Sequence, residues 1–185
     1  MGESLSGDAV VAVEVGDRFL LAIIDALGHG PFASGVAQKV VAYFESFSGE
    51  DLEAAVRDVD GMLRSGGSAS GAALGVAFVE QSGEVRYVGV GNTVARIVSA
   101  GGEQRQLVSK DGTAGQIMPT PAEQGARLHR GELLVLTTDG IQSRLGRDTE
   151  RSQIFAGSAY NIAVGVVRLY GKDYDDAACL VYRHG

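Results

Sequence analysis

The order of apolar runs along this chain predicts an α+β fold with mostly antiparallel sheets. The chain opens with two strand-like runs separated by Gly16-Asp17, and Gly and Asp between such runs are a hairpin signal. Two segments of helical period follow back to back, and further strand-like runs then succeed one another with only turn residues between them. Helices gathered between hairpin-connected strands do not make the alternating βαβ pattern of a parallel sheet.

The first runs are Ala9 to Val15 and Phe19 to Ile24. From Pro31 the period becomes helical. Val36, Val40, Val41, Phe44 and Phe47 recur at spacings of three and four, Pro31 suits a first turn, and Ser48-Gly49 is the expected stop. A second helix is expected from Glu50 to Leu63, with Leu52, Val56, Val59 and Leu63 on one face and acidic residues in its first turn. The segment from Gly66 to Gly71 reads as a loop. Strands are expected at Ala73 to Val79, Val85 to Val90 and Val94 to Val98, divided by Ser82-Gly83, Gly91-Asn92 and Gly101-Gly102. Lys110 to Gln124, holding Pro119 and Pro121, reads as irregular. Leu133 to Thr137 is a short apolar strand, Ser158 to Tyr170 contains a third helix, and Ala177 to Tyr182 is the last strand.

At 185 residues the chain has the length of one domain with a full core, and residues 1–185 are expected to form a single catalytic domain without an attached sensor. A net charge of −7 with no basic patch argues against nucleic acid. No apolar run approaches the roughly 20 residues needed to span a bilayer, and the N-terminus lacks the pattern of a signal peptide. Cys179, the only cysteine, sits in an apolar run and reads as a buried small hydrophobe. With no disulfide possible, a soluble protein in the cytoplasm is expected.

Four aspartates stand beside small residues at or near the ends of apolar runs: Asp8 after Gly7, Asp25 after Ile23-Ile24, Asp139 before Gly140 and Asp175 before Asp176-Ala177. Each has a plain alternative as a turn or cap residue. Asp25 and Asp139 resist it best, because a carboxylate closing an apolar strand is costly unless compensated. Brought together, four such charges call for two divalent cations, and oxygen-only ligation suits Mg²⁺ or Mn²⁺ better than zinc. Two such ions can share and acidify a water for in-line attack at phosphorus, so a metal-dependent phosphoester hydrolase needs no protein nucleophile. Gly28 and Gly30 would let the backbone turn sharply after Asp25, which a plain strand-to-helix connection also requires.

The set Ser6-Gly7-Asp8, Asp25-Ala26-Leu27-Gly28-His29-Gly30, Gly89-Val90-Gly91-Asn92, Thr138-Asp139-Gly140-Ile141 and Asp175-Asp176 resembles, in order and spacing, the metal-dependent type 2C serine/threonine phosphatases. It is most similar to their small bacterial RsbX and SpoIIE-like branch. The resemblance spans nearly the whole chain. It implies a four-layer αββα sandwich with the metal site at one end of the β-sandwich. Carried across, Asp25 would bridge two ions, with the Ala26 carbonyl on the first and Asp8, Asp139 and Asp175 on the second. Asp25 and Asp139 would be the catalytic pair, and Asp176 would play a supporting part. The implied substrates are phosphoserine and phosphothreonine, in this branch on a phosphorylated STAS-domain protein of the stressosome or of sigma-factor control in the stress response.

Three departures stand out. Ala26 replaces the glycine common after the bridging Asp, and His29 lies too far from Asp25 to match the histidine of eukaryotic relatives. An N-terminal arginine placed to clamp phosphate is also missing, so substrate grip would fall to the metals and to docking. The candidate docking segments are Lys110 to Gln124 and Ser143 to Ser152, the latter carrying Arg144, Arg147 and Arg151. One rival reading takes Gly28-His29-Gly30-Pro31-Phe32-Ala33 as a G-x-G-x-x-A dinucleotide fingerprint and the chain as an oxidoreductase, which requires a parallel strand after the helix. Another is a non-catalytic phosphoprotein-binding module of the same fold, against which the retention of four aspartates speaks.

Overall fold

Gly16, at φ +67°, and Asp17 turn the chain between β1 (Asp8–Val15) and β2 (Arg18–Ala26), pairing Val15 with Arg18 and, at the far end of the hairpin, Asp8 with Asp25. The structure is a computed structural model that describes residues 5–67, 70–143 and 155–185. After β2 come α1 (Gly30–Glu45), α2 (Leu52–Ser65), β3 (Ala72–Glu80), β4 (Glu84–Val90), β5 (Val94–Val98), β6 (Gln104–Leu107), β7 (Gln124–Arg127), β8 (Leu133–Thr137), α3 (Ala159–Tyr170) and β9 (Cys179–Arg183).

Five strands form one sheet in the order β1-β2-β3-β4-β7, and four form a second in the order β6-β5-β8-β9. Every pairing between these strands is antiparallel. Period-two alternation builds the layers. In β2, Leu20, Ala22 and Ile24 face α1 and α2, whereas Leu21 and Ile23 face the other sheet. In β8, Leu134 and Leu136 enter that same inter-sheet core while Leu133 and Val135 pack under α3 with Ile162 and Val166. The result is the expected αββα order of layers. β2 pairs with β3 antiparallel, from Arg18 against Glu80 to Ala26 against Ala72, so the parallel strand required by the dinucleotide reading is not there.

The second and third helices start at side-chain caps that the sequence reading had not singled out, and Asp51, expected within the first turn of α2, stands at its N-cap. Asp51 caps α2 by accepting from the Ala54 N–H at 2.8 Å, and Ser158 caps α3 by accepting from the Asn161 N–H at 3.2 Å. Phe47, expected within α1, lies beyond it. The Ser46 hydroxyl donates back to the carbonyls of Ala42 and Tyr43, the helix stops, and Phe47 swings onto Phe78 with ring centroids 6.4 Å apart. Two strands, β6 and β7, were not expected. Both are four residues long, lie at sheet edges and are largely polar, so no apolar alternation marks them. Among the described residues no helix is long and apolar enough to cross a membrane. Arg144, Arg147 and Arg151 lie outside the described residues, as do Ser68 and Ala69 of the expected glycine-rich loop.

Candidate active site

The row of β2 side chains that faces the inter-sheet core runs Leu21, Ile23, Asp25, and the matching row of β8 and its extension runs Leu134, Leu136, Thr138. Each row passes from apolar to polar at the same end of the sandwich. Pairing of Asp8 opposite Asp25 adds a second carboxyl to that end, on the same face. There Thr138, 1% exposed, donates from its hydroxyl to the Asp8 carboxylate at 2.5 Å and accepts from the Ala178 N–H at 2.9 Å. One hydroxyl thus ties the start of β1 to the approach to β9.

Asp139 follows Thr138 and accepts a hydrogen bond from the Asn92 side-chain amide, in the β4–β5 turn, at 2.6 Å. The Gly7 N–H donates to the Asp176 carboxylate at 2.7 Å. Asp175 is exposed beside it, and the charges of Asp175 and Asp176 both act on Asp8. Backbone fit is tight at Gly140, where any Cβ would run into the Asp176 carbonyl. Gly28 and Gly30 have φ of +88° and +74°, so the sharp turn expected after Asp25 is real and is made in the left-handed region. Ala26 is buried, with its N–H donating to the Gly7 carbonyl at 3.1 Å. His29 is exposed at the N-cap of α1.

Burial raises the Asp25 carboxyl to a pKa of about 7, helped by the charges of Asp8, Asp139 and Asp175 and by a hydrogen bond with Asp139. Asp8 is raised to about 6, again chiefly by burial, with the Thr138 hydrogen bond opposing and the charges of Asp176, Asp175 and Asp139 adding. These groups carry more negative charge than their surroundings balance. Among the described residues no three or more His, Cys, Asp or Glu side chains are already gathered as a cage for an ion. The donor set nevertheless fits a hard divalent cation, because all its donors are oxygens and an added positive charge would reverse the pKa shifts of Asp8 and Asp25.

Asp8, Asp25, Asp139 and Asp175 therefore reach one end of the sandwich from four separate segments, within range of one another's charge. Thr138 and Asn92 were both quoted in motifs without a role. A pair of threonines closing an apolar strand just before an aspartate was the available signal for the first.

The sequence model of the family described as stage II sporulation protein E (SpoIIE) matches residues 15–184. The chain belongs to that family. SpoIIE-type domains are type 2C, metal-dependent serine/threonine phosphatases, and this chain is an enzyme of that kind in the RsbX and SpoIIE-like branch. Among solved structures, it is 27% identical to one described as "The bacterial stressosome: a modular system that has been adapted to control secondary messenger signaling", with a TM-score of 0.86, covering 98% of this chain and 93% of that one. It shares the fold of RsbX in complex with magnesium at 20% identity, TM-score 0.78, over 97% of this chain and 87% of that one. The catalytic domain of the serine/threonine phosphatase PstP in complex with two manganese ions matches at 18% identity and TM-score 0.78, over 98% and 92%.

Proposed function

We propose that residues 1–185 act as one catalytic domain that removes phosphate from phosphoserine or phosphothreonine on a regulatory protein of a stress-signalling pathway. The partner is a phosphorylated STAS-domain protein in the cytoplasm. The observation that carries the reading is the convergence of Asp8, Asp25, Asp139 and Asp175 at one end of the sandwich, with Asp8 and Asp25 both raised in pKa. The likeness to a structure described under the bacterial stressosome and to RsbX supports the pathway.

In this reading Asp25, the Ala26 carbonyl, Asp8, Asp139 and Asp175 are the residues that would hold two Mg²⁺ or Mn²⁺ ions. When bound, the ions supply Lewis-acid charge for the phosphoryl oxygens and lower the pKa of the attacking water. The remaining work falls to the chain. Thr138 holds the Asp8 carboxylate in place, Asn92 orients Asp139 through its amide, and the Gly7 N–H fixes Asp176 so that its neighbour Asp175 faces the site. Asp25, whose carboxyl is raised chiefly by burial, would give up its proton when cations bind.

Calorimetry with manganese tests the ligand set. Asp139→Ala and Asp175→Ala should each weaken binding, whereas Asp17→Ala, in the β1–β2 turn, should not. Equal effects at all three positions would reduce the site to a diffuse field. The reaction is tested by manganese-dependent hydrolysis of an aryl phosphate and of a phosphorylated STAS-domain protein. Trapping a covalent phosphoenzyme during turnover would overturn the mechanism.

A further inference from the structure

Asn92 holds Asp139, yet it is exposed on the β4–β5 turn, where a side chain keeps its direction only if its backbone is fixed. Ser109 and Lys110, just beyond β6, fix that backbone from both sides. The Gly91 N–H donates to the Lys110 carbonyl at 2.8 Å, and the Lys110 N–H donates to the Gly89 carbonyl at 3.0 Å. On the other flank the Ser109 hydroxyl donates to the Thr93 carbonyl at 2.9 Å. Two consecutive residues thus bracket Asn92 through its neighbours Gly91 and Thr93.

The Ser109 end of this bracket is anchored in the inter-sheet core. Tyr87 is fully buried there, with its phenol oxygen 2.9 Å from the Ser109 Oγ. Ser109 has one hydroxyl hydrogen and gives it to Thr93, so the phenol is the donor of this bond. The buried Thr93 side chain lies against the same phenol. Hydroxyls gathered in so dry a place hold one another more firmly than they would at the surface. The backbone makes room for them. Gly75 and Gly89 are partners across β3 and β4, and a Cβ at Gly89 would run into both the Ser109 hydroxyl and the Tyr87 phenol. A Cβ at Gly75 would stand 3.0 Å from the phenol oxygen. Tyr87, two residues before Gly89 and on the same face, leans across this glycine pair to reach the turn.

We propose that Ser109, anchored by Tyr87, is a positioning residue that fixes the turn carrying Asn92 and through it the direction of the Asp139 carboxylate. Neither hydroxyl belongs to the oxygen set assigned to the cations. The connection runs from phenol to serine, from serine to the turn, and from Asn92 to Asp139 at 2.6 Å. It rests on the phosphatase reading above, in which Asp139 holds a cation.

Calorimetry with manganese and NMR of the metal-free protein test it. Ser109→Ala should weaken manganese binding by about 10-fold, the lower end of what loss of an orienting partner costs a metal ligand. Tyr87→Phe keeps the ring and leaves Ser109 on Thr93, so it should weaken binding by about threefold, the worth of one ordinary hydrogen bond. In an Asn92→Ala background Ser109→Ala should change the affinity no further, because the residue through which it acts is gone. A purely structural residue would instead weaken binding equally in both backgrounds, and that result overturns the proposal. Without metal, the Asn92 side-chain amide protons should exchange with water about 10-fold faster in Ser109→Ala and about threefold faster in Tyr87→Phe. Exchange unchanged in both variants also overturns it. If Ser109→Ala does not fold, Tyr87→Phe decides by the same measurements. Absence of manganese binding in the wild type would overturn the phosphatase reading, and the amide exchange would still decide whether Ser109 fixes Asn92.

Discussion

Thr138 donates its hydroxyl proton to Asp8 across 130 residues of sequence, and the same oxygen accepts from the Ala178 N–H. This one side chain connects the first strand of one sheet to the last strand of the other at the place where the carboxylates meet. It orients Asp8 and is the one contact that lowers that group's pKa against burial and the surrounding charges.

Thr138→Val keeps the shape and removes the hydroxyl. The expected result is a folded protein whose manganese affinity falls by about 10- to 100-fold, the usual cost of losing a group that orients a metal ligand. Thr138→Ser should retain most of the affinity. Calorimetry on the three proteins checks this, and equal loss in both variants would point to packing instead.

Asp25→Asn should leave the fold intact and reduce turnover of an aryl phosphate by more than about 100-fold, since on the proposed reading Asp25 is a direct ligand and should matter more than the groups that orient its neighbours. Asp17→Asn, in the turn that closes the same hairpin, should retain full activity. A metal-replete, fully active Asp25→Asn protein would remove Asp25 from the site.

Gly140 is where backbone geometry and chemistry coincide. A methyl group there meets the Asp176 carbonyl, so Gly140→Ala must push the Asp175-Asp176 segment away from Asp139. The expected cost is about 3 kcal/mol of stability, measured by urea unfolding, together with weakened manganese binding.

The raised carboxyls set a pH dependence whose sign is fixed. In the unfolded chain Asp8 and Asp25 titrate near 3.8, whereas in the metal-free fold they titrate near 6 and 7. Between those values the folded protein binds more protons than the unfolded one, so the stability contributed by these groups falls as pH rises from about 4 to about 7 and stays low above that. Thermal melts without metal should show this decline. Asp25→Asn should flatten it, and added manganese should restore stability most strongly above pH 7.

Much of the architecture was legible in the sequence because burial writes a period into it. The apolar runs of β2 and β8 and the helical spacing of α1 and α2 are local, and local physics placed them to within a few residues. The edge strands β6 and β7 left no such period, since a polar strand with both faces largely exposed is a strand only by virtue of its hydrogen-bonded neighbour. Phe47 left a misleading one, because its position fits the helical spacing although Ser46 has already ended the helix.

The site divides in the same way. The tight turn at Gly16-Asp17 pairs Val15 with Arg18 and so must place Asp8 opposite Asp25, a local consequence of hairpin register. No local rule brings Asp139 and Asp175 to that pair. They arrive because the inter-sheet core stacks one apolar row on the other, so that both rows run out at the same end. The sequence by itself determined the layers, the hairpin pair and the oxygen-only chemistry. Only the tertiary structure decided that Thr138 holds Asp8 and that Asn92 holds Asp139, because each joins segments whose proximity depends on packing two sheets together.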